Sequence, residues 1–468
     1  MGSGFCRIYA AESELMDRQE QAKRARLAAA DLTAQGVRTV ALTWVDNAGV
    51  TRAKAVPVRR LEHAAAWGVG MSPVFDVFCV DDSITTSAHV GGPVGDLRLY
   101  ADLSRITALA AQPGWAWAPV DRYTQEGEPH PCCQRLFART AVERAAAAGL
   151  ELRMAYEVEW FVGTADPRAG DPIPATTGPA YGMSRVVELS AYADAVLAAL
   201  AAEDVPVEQF HPEYAPGQLE LSVAPADPVT AADRNVLVRQ TIRAVSASFG
   251  YQVSFAPVVV AYQVGNGGHL HVSAWRDGRN LFAGGPGPYG VTAEGESILA
   301  GLLDRLPALT AIGAPSPASQ LRLVPRHWAG PYQCWGRENR EAALRLVTGT
   351  VGERDTAANA ELKSFDAAAN PYLLGGAVTA AVTAAAGAGL TLPLEVPVDP
   401  ASLPEGRQPP RLPSGLPAAV AALRADDLLP GVLGEPLLEA FCAVRLAEHA
   451  IFADASPEAT VAGTRWKY

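Results

Sequence analysis

The sequence predicts an α+β protein of two or three domains, and three observations lead there. The chain has 468 residues, more than one compact core usually organises. Helical and strand-like hydrophobic patterns alternate along it. Hairpin signals argue against the all-parallel sheet that strict βαβ alternation would build.

Residues 9–35 are charged and Ala-rich and read as a helix, with Gly36 as its C-terminal cap, so residues 1–36 form a helical segment. Alternation over Val37–Trp44, the turn Asp46-Asn47-Ala48-Gly49 and a second alternating run at Val50–Val58 predict a β-hairpin. Short strands and loops continue to about Pro119. Pro and Gly cluster at Pro113-Gly114 and again in GEPHPCC (127–133), which divides a small domain over 37–128 from a large one over 129–468. In the large domain Phe137–Ala148 is a helix ended by Gly149, and Leu150–Val162 reads as one strand. Ala191–Glu203 and Val229–Phe249 are helices; Gly217–Val223 and His269–Trp275 are strands. Pro371–Leu394 has no charge for 24 residues, and roughly 20 apolar residues would cross a bilayer. It is mostly Ala, Gly, Leu and Thr without a basic flank, so a buried helix packed through small side chains is expected. Pro393–Pro417 is Pro-rich and is expected to be an exposed loop.

Apolar residues make up 49% and charged residues 19%, which excludes a disordered chain. The net charge of −12 disfavours nucleic acid and an anionic membrane surface as partners. Cys6, Cys79, Cys132, Cys133, Cys334 and Cys442 include no CxxC pair. Reduced, mostly buried thiols in a cytoplasmic protein are expected. No basic flank followed by an apolar run opens the chain, so no secretory signal is expected.

The chemistry is signalled by acids inside apolar strands. In MAYEVEWFV, Glu157 and Glu159 are two apart and would share one strand face, with Val158 and Trp160 on the other. Burying two adjacent carboxylates is unfavourable unless a cation compensates. HPEYAPGQLELSV carries Glu213 and Glu220, GNGGHLHVSAW carries His269 and His271, and AELKSFD carries Glu361 and Lys363. One inner surface holding metal accounts for all four segments better than four solvated faces. Carboxylate and imidazole ligands without thiolate suit Mg²⁺ or Mn²⁺. Arg322, Arg340 and Arg345 add groups that recognise carboxylate or phosphate oxygens. Acids for divalent metals together with several arginines make a phosphoryl-transfer kit. Gly285 to Gly290 fits GxGxxG only formally, because its prolines make it a loop. No GxxxxGK[ST] is present, so a nucleotide would not be held by a P-loop. Spacing alone reaches a metal-dependent phosphoryl-transfer enzyme and leaves the acceptor open.

From about Val37 to its end the sequence resembles the glutamine synthetase family. The resemblance is carried by EVEW (157–160), HPEYAPGQLE (211–220), GNGGHLHVS (265–273), RLVP (322–325), NREAALR (339–345) and ANPYL (369–373), in family order. It implies a small N-terminal β-grasp domain and a large catalytic domain with an antiparallel barrel-like sheet and surrounding helices. It also implies a homo-oligomer of stacked rings, a dodecamer, in which one subunit's N-terminal domain closes its neighbour's site. By motif, Glu159, Glu213 and Glu220 would hold one Mg²⁺ or Mn²⁺, and Glu157, His269 and Glu361 another, with two or three metals per subunit. Glu208, His271 and Ser273 would face ATP. Arg322 would take the α-carboxylate of glutamate, with Glu159 and Gly265 beside the substrate, and Arg340 and Arg345 would face the phosphates. The implied reaction phosphorylates the glutamate γ-carboxylate with ATP, after which an amine displaces phosphate.

The departures from the family pattern bear on the amine. RHWAGP replaces the usual flap, so Trp328 stands where the family has a Glu that serves ammonium. An N-terminal Asp becomes Ser72, although Asp76 is near. Val264 replaces an Asn, and Lys363 and Asn359 replace arginines. The Pro-rich loop lacks the tyrosine that some members modify. An organic amine is therefore expected: an alkylamine or ethanolamine, or a diamine or polyamine, with the shortage of extra acids in the flap slightly favouring a monoamine. The alternatives are ordinary glutamine synthesis from ammonium, with Asp76 as the missing acid, and a non-catalytic ring protein.

Overall fold

A computed structural model describes residues 3–92, 94–164 and 170–468, and of residues 3–16 the backbone alone. The first helix, Ser3–Ala34, runs into a hairpin of Thr39–Val45 and Thr51–Pro57, paired from Thr39–Pro57 to Val45–Thr51 as the alternation requires. Thr39–Val45 also pairs in parallel with the long strand Trp115–Thr124, whose far half takes Leu97–Ala101 antiparallel. Val69–Met71 completes the far edge. Ala25 and Leu32 of the first helix join Leu61, Val40, Leu42, Leu99 and Val120 in one core beneath this sheet. This is the β-grasp arrangement.

The catalytic part holds two further sheets. One orders Val207–Pro212, Gln218–Val223, Val158–Thr164 and Gln252–Ser254, all antiparallel. The other orders Arg279–Asn280, Leu270–Arg276, Asn359–Leu362, Ala342–Val347 and Tyr332–Arg337, with Glu151–Tyr156 also on Leu270–Arg276. It is antiparallel except that Tyr332–Arg337 runs parallel to Ala342–Val347. Helices cover the outside. Trp160 is fully buried, and its indole N–H reaches Tyr192 Oη at 3.1 Å, so the apolar face of its strand is anchored to the helix Ser190–Ala202.

Residues 150–162, read as one strand, are two. Glu151–Tyr156 belongs to one catalytic sheet and Val158–Thr164 to the other, and the chain changes sheets at Glu157. A period of two passes unbroken through a one-residue switch, so the pattern carries no mark of it.

The uncharged segment forms the buried helix Pro371–Ala385. A Cβ on Gly376 would lie 2.5 Å from the Phe137 ring, so close packing against Gln134–Ala147 requires a glycine there. Among the described residues no helix is long and apolar enough to cross a membrane. Cys79, Cys132, Cys133, Cys334 and Cys442 are unpaired and buried; the side chain of Cys6 lies outside the described residues.

The hairpin turn of the small domain is plugged into the catalytic part. Asn370 donates to the carbonyls of Val45 (3.0 Å) and Asp46 (3.2 Å), and Arg445 donates to Asn47 O at 2.8 Å. Gly49 has φ +79°, and a Cβ there would sit 1.9 Å from Ala368 O. Beside this plug Glu448 accepts from Val80 N–H at 2.8 Å and pairs with Arg445 at 3.1 Å, with no solvent exposure. Burial pushes its carboxyl up to about 7 from 4.5, against the pull of Arg445. The folded state therefore holds this proton more tightly than the unfolded chain. Stability from this group is fully present below about pH 4.5 and is lost as pH rises through about 7. Glu448→Gln should accordingly gain on the wild type by about 2 kcal/mol between pH 5 and pH 8 in urea unfolding. An equal difference at both pH values would show that Glu448 does not titrate in this window.

Candidate active site

Two cross-strand rows build the site. In the first sheet Glu159 lies opposite Glu220, and Glu220 opposite His211. In the second, Glu361 is flanked by His271 on one side and Arg345 on the other. Glu157, at the switch between sheets, joins the two rows. Its N–H donates to His269 O at 3.0 Å, and its carboxylate meets His269 Nδ1 at 2.6 Å and His271 Nε2 at 3.0 Å.

The rows face a cavity of about 420 Å³ lined by Glu157, Glu159, Glu213, Glu220, His269 and Arg322 among others. Val264, Gly265, Lys363, Arg340 and Trp328 also border it. Gly267 is confined by the ligand cluster, since a Cβ there would stand 2.5 Å from Glu159 Oε1 and 2.6 Å from His269 Nε2.

The two halves differ in charge balance. Burial opposes ionisation of Glu157, yet His271 and His269 hold its carboxyl well below the usual range. Glu361 is also held low despite its burial, chiefly by Lys363, whose Nζ is 2.9 Å from Oε1; Arg345 lies 2.9 Å from Oε2. His271 is half-buried, and against its desolvation Glu157 and then Glu361 lift it to about 9. Burial and then Lys363 push His269 down to about 4, so it is neutral at pH 7, as a metal ligand must be. The other half is short of positive charge. Burial and then repulsion from Glu220 and Glu213 raise Glu159 well above its ordinary value. Burial and then repulsion from Glu157 and Glu213 raise Glu220 to about 7, even with His211 beside it.

A divalent cation would relieve this imbalance, so the residues present fit one. Ligand atoms of His211, Glu213 and Glu220 lie within 4.8 Å of one another, as do those of Glu157, His271 and Glu361. His269, the expected ligand, is 2.6 Å from Glu157 and 3.3 Å from Glu361.

The remaining expected residues lie around this centre. Arg345 is bound to Glu361 and, at 2.8 Å, to Glu338. Ser273, two residues beyond His271, accepts from the Trp275 indole N–H at 2.9 Å. Glu208 is exposed at a bulge in Val207–Pro212. Ser72 does not border the cavity of its own chain; its hydroxyl caps Pro73–Val77 by accepting from Val74 N–H at 3.3 Å. Asp76 is fully buried and bound to Arg122 at 2.6 Å and His130 at 2.8 Å, which removes it as a substitute acid for ammonium.

Sequence reasoning missed Tyr181, His211, Gln218 and His327. His211 was legible, because it alternates with Glu213 as Glu157 does with Glu159. Gln218 alternates with Glu220 in the same way; its amide N–H₂ donates to Glu159 Oε2 at 2.8 Å and Gly265 O at 3.0 Å. Tyr181 donates to Glu213 Oε2 at 2.8 Å from a loop with no periodic pattern.

Residues 131–461 match the family model described as glutamine synthetase, catalytic domain, and residues 25–127 the one described as glutamine synthetase N-terminal domain. The chain belongs to the glutamine synthetase family. Within it the chain is 56% identical over 456 residues to gamma-glutamylpolyamine synthetase GlnA3 of Streptomyces coelicolor, covering 96% of this chain and 98% of that one. It is 27% identical to glutamate–methylamine ligase of Methyloversatilis universalis, over 74% of this chain and 76% of the other. Among solved structures, one described as a novel glutamine synthase homolog superposes with a TM-score of 0.83 at 32% identity, covering 93% of this chain and 99% of that one. A GmaS/ADP complex superposes at 0.80 and 26% identity, covering 92% and 96%.

Proposed function

We propose that this glutamine synthetase family member is an ATP-dependent ligase that joins the γ-carboxylate of glutamate to a polyamine. The observation that carries the reaction class is the cavity in which Glu159 and Glu220 are under-compensated beside a third carboxylate, Glu213, while Arg322 and Arg340 stand at its border. Such a site recruits divalent metal with a polyphosphate and has guanidinium groups for carboxylate and phosphate oxygens. Glu159, Glu213 and Glu220 would hold one Mg²⁺ or Mn²⁺, and Glu157, His269 and Glu361 another; the bound metals would neutralise charge on the transferring phosphoryl group.

Arg322 would bind the glutamate α-carboxylate and aim the γ-carboxylate inward. A γ-carboxylate oxygen attacks the γ-phosphorus of ATP, the bond to the β-phosphate oxygen breaks, and ADP leaves. Arg340 would steady the phosphates from the rim. The neutral amine nitrogen then attacks the acyl carbon, the bond to the phosphate oxygen breaks, and the nitrogen gives up a proton as the amide forms. Trp328 cannot accept that proton. The departing phosphate would take it.

The choice of a polyamine is supported by the 56% identity to the Streptomyces coelicolor enzyme. That likeness, over nearly the whole of both chains, outweighs the slight monoamine preference drawn from the flap. In this reading the protein is a cytoplasmic homo-oligomer of stacked rings, residues 37–128 close a neighbour's site, and Ser72 acts there; the unpaired buried thiols fit a reducing compartment.

ADP release should be measured with glutamate and ammonium, ethanolamine, putrescine, spermidine or spermine in turn. Diamines and polyamines should give the highest kcat/KM. A value for ammonium equal to or above that of every organic amine would overturn the proposal. Ethanolamine surpassing the polyamines would overturn the polyamine assignment while leaving an amine ligase.

A further inference from the structure

The flap RHWAGP (326–331) holds an uncommon backbone shape. It has no glycine before Gly330, yet Arg326 has φ +66° and Trp328 has φ +53°. Bulky side chains seldom enter this left-handed region, and they stay there only where the surroundings over-determine it. Here the surroundings are one buried carboxylate. Glu341 is 8% exposed; one of its oxygens accepts from Trp328 N–H at 2.8 Å and the other from Arg326 N–H at 3.2 Å. Neighbouring backbone N–H groups that converge in this way form a nest for an anion, and hydrogen bonds to a carboxylate are stronger than those to a neutral acceptor.

Glu341 is itself fixed. Its N–H donates to Asn339 Oδ1 at 3.0 Å, and Asn339 Nδ2 donates to Val396 O at 2.7 Å and Val398 O at 3.0 Å. The Pro-rich segment then returns to the flap, where Asp399 pairs with Arg326 at 3.3 Å. At the other end of the flap Ala329 is buried with Ala314 and Leu323. Gly330 passes the strand Ala342–Val347 so closely that a Cβ there would lie 2.8 Å from Ala343 Cα. His327 and Trp328, between these anchors, border the cavity, and the indole meets Tyr214 edge-on at 5.2 Å. Glu341 does not border the cavity; it holds the backbone on either side of His327.

We infer that Glu341 is a positioning residue for the amine: its carboxylate sets the flap in the shape that presents Trp328 to the cavity, and so sets the preference for an organic amine over ammonium. This rests on the reading that Trp328 meets the amine. Glu341 touches no substrate; it acts through the flap.

The test uses the full-length enzyme with Mg²⁺, ATP and glutamate, and putrescine as the amine. Glu341→Gln keeps the size but offers a single acceptor, and it turns an amide N–H₂ toward one of the two flap N–H groups. It should raise the KM for putrescine about tenfold and change kcat by less than about threefold. The KM values for ATP and glutamate, and kcat/KM for ammonium, should stay within about twofold. In the Trp328→Ala background the same substitution should change kcat/KM for putrescine by less than about twofold, because the two residues act as one unit. Equal effects in both backgrounds would show a merely structural role and overturn the inference. A matching rise in the KM for ATP would also overturn it, by placing the effect on the adjacent Arg340 at the cavity border. An unchanged kcat/KM for putrescine in Trp328→Ala alone would overturn the amine reading of Trp328, and the inference with it. Should Glu341→Gln not fold, Glu341→Asp keeps the charge but withdraws it by one methylene. A rise of about threefold in the KM for putrescine, abolished in the Trp328→Ala background, supports the inference, and an unchanged KM overturns it.

Discussion

Glu159→Ala should lower kcat/KM by a factor on the order of 10²–10³ at saturating Mg²⁺, and chelation should abolish turnover of the wild type. Glu159 sits opposite Glu220 in register and is fixed by Gln218 at 2.8 Å, so its removal takes away the carboxylate expected to share a metal with the neighbouring His211, Glu213 and Glu220 group. Stability separates this effect from misfolding. In the metal-free protein Glu159 is a buried carboxylate raised well above its ordinary value by burial and by Glu220 and Glu213. Deleting it removes a like-charge repulsion, so unfolding of the metal-free variant should need as much urea as the wild type, or more. Addition of Mg²⁺ should stabilise the wild type more than the variant. Full activity in Glu159→Ala, or in chelated wild type, would sink the metal assignment.

Most of this cluster was legible because strand alternation writes a buried face directly into the sequence. Glu157, Glu159, Glu213 and Glu220 stand out as acids among apolar residues, and His269 and His271 share a period of two. The helix Pro371–Ala385 was equally plain, since small residues without charge have few alternatives. What escaped depends on contacts distant in sequence. The change of sheets at Glu157 leaves the alternation intact and separates the two acids into different rows. Asp76 looked available for the amine until His130 and Arg122, 54 and 46 residues away, bound it in the interior. Tyr181 reaches Glu213 from an irregular loop, where no period can announce it. Ser72 caps a turn in its own chain, so the substrate contact expected of it would have to be made in a neighbouring subunit's site.

Trp328→Ala should lower kcat/KM for the preferred amine by about 30-fold, the equivalent of roughly 2 kcal/mol of cation–aromatic contact, and leave the KM values for ATP and glutamate within about twofold. The flap that carries Trp328 is held by Glu341, which accepts from Trp328 N–H at 2.8 Å and Arg326 N–H at 3.2 Å. Both donors have positive φ, +53° for Trp328 and +66° for Arg326, so this carboxylate stabilises a backbone shape that side chains other than glycine seldom adopt. Tyr214 meets the indole edge-on at 5.2 Å and fixes its plane at the cavity border, 40% exposed. The ring therefore offers a preset wall for an alkyl chain and a face for a cationic head. Ammonium has no chain to place on that wall and keeps its hydration unless anions replace it. Loss of the ring should accordingly penalise organic amines and leave the residual rate with ammonium nearly unchanged, so the ratio of the two kcat/KM values should fall. A uniform loss for every amine would mean that Trp328 only packs the flap; an unchanged ratio with unchanged rates would remove it from amine recognition altogether.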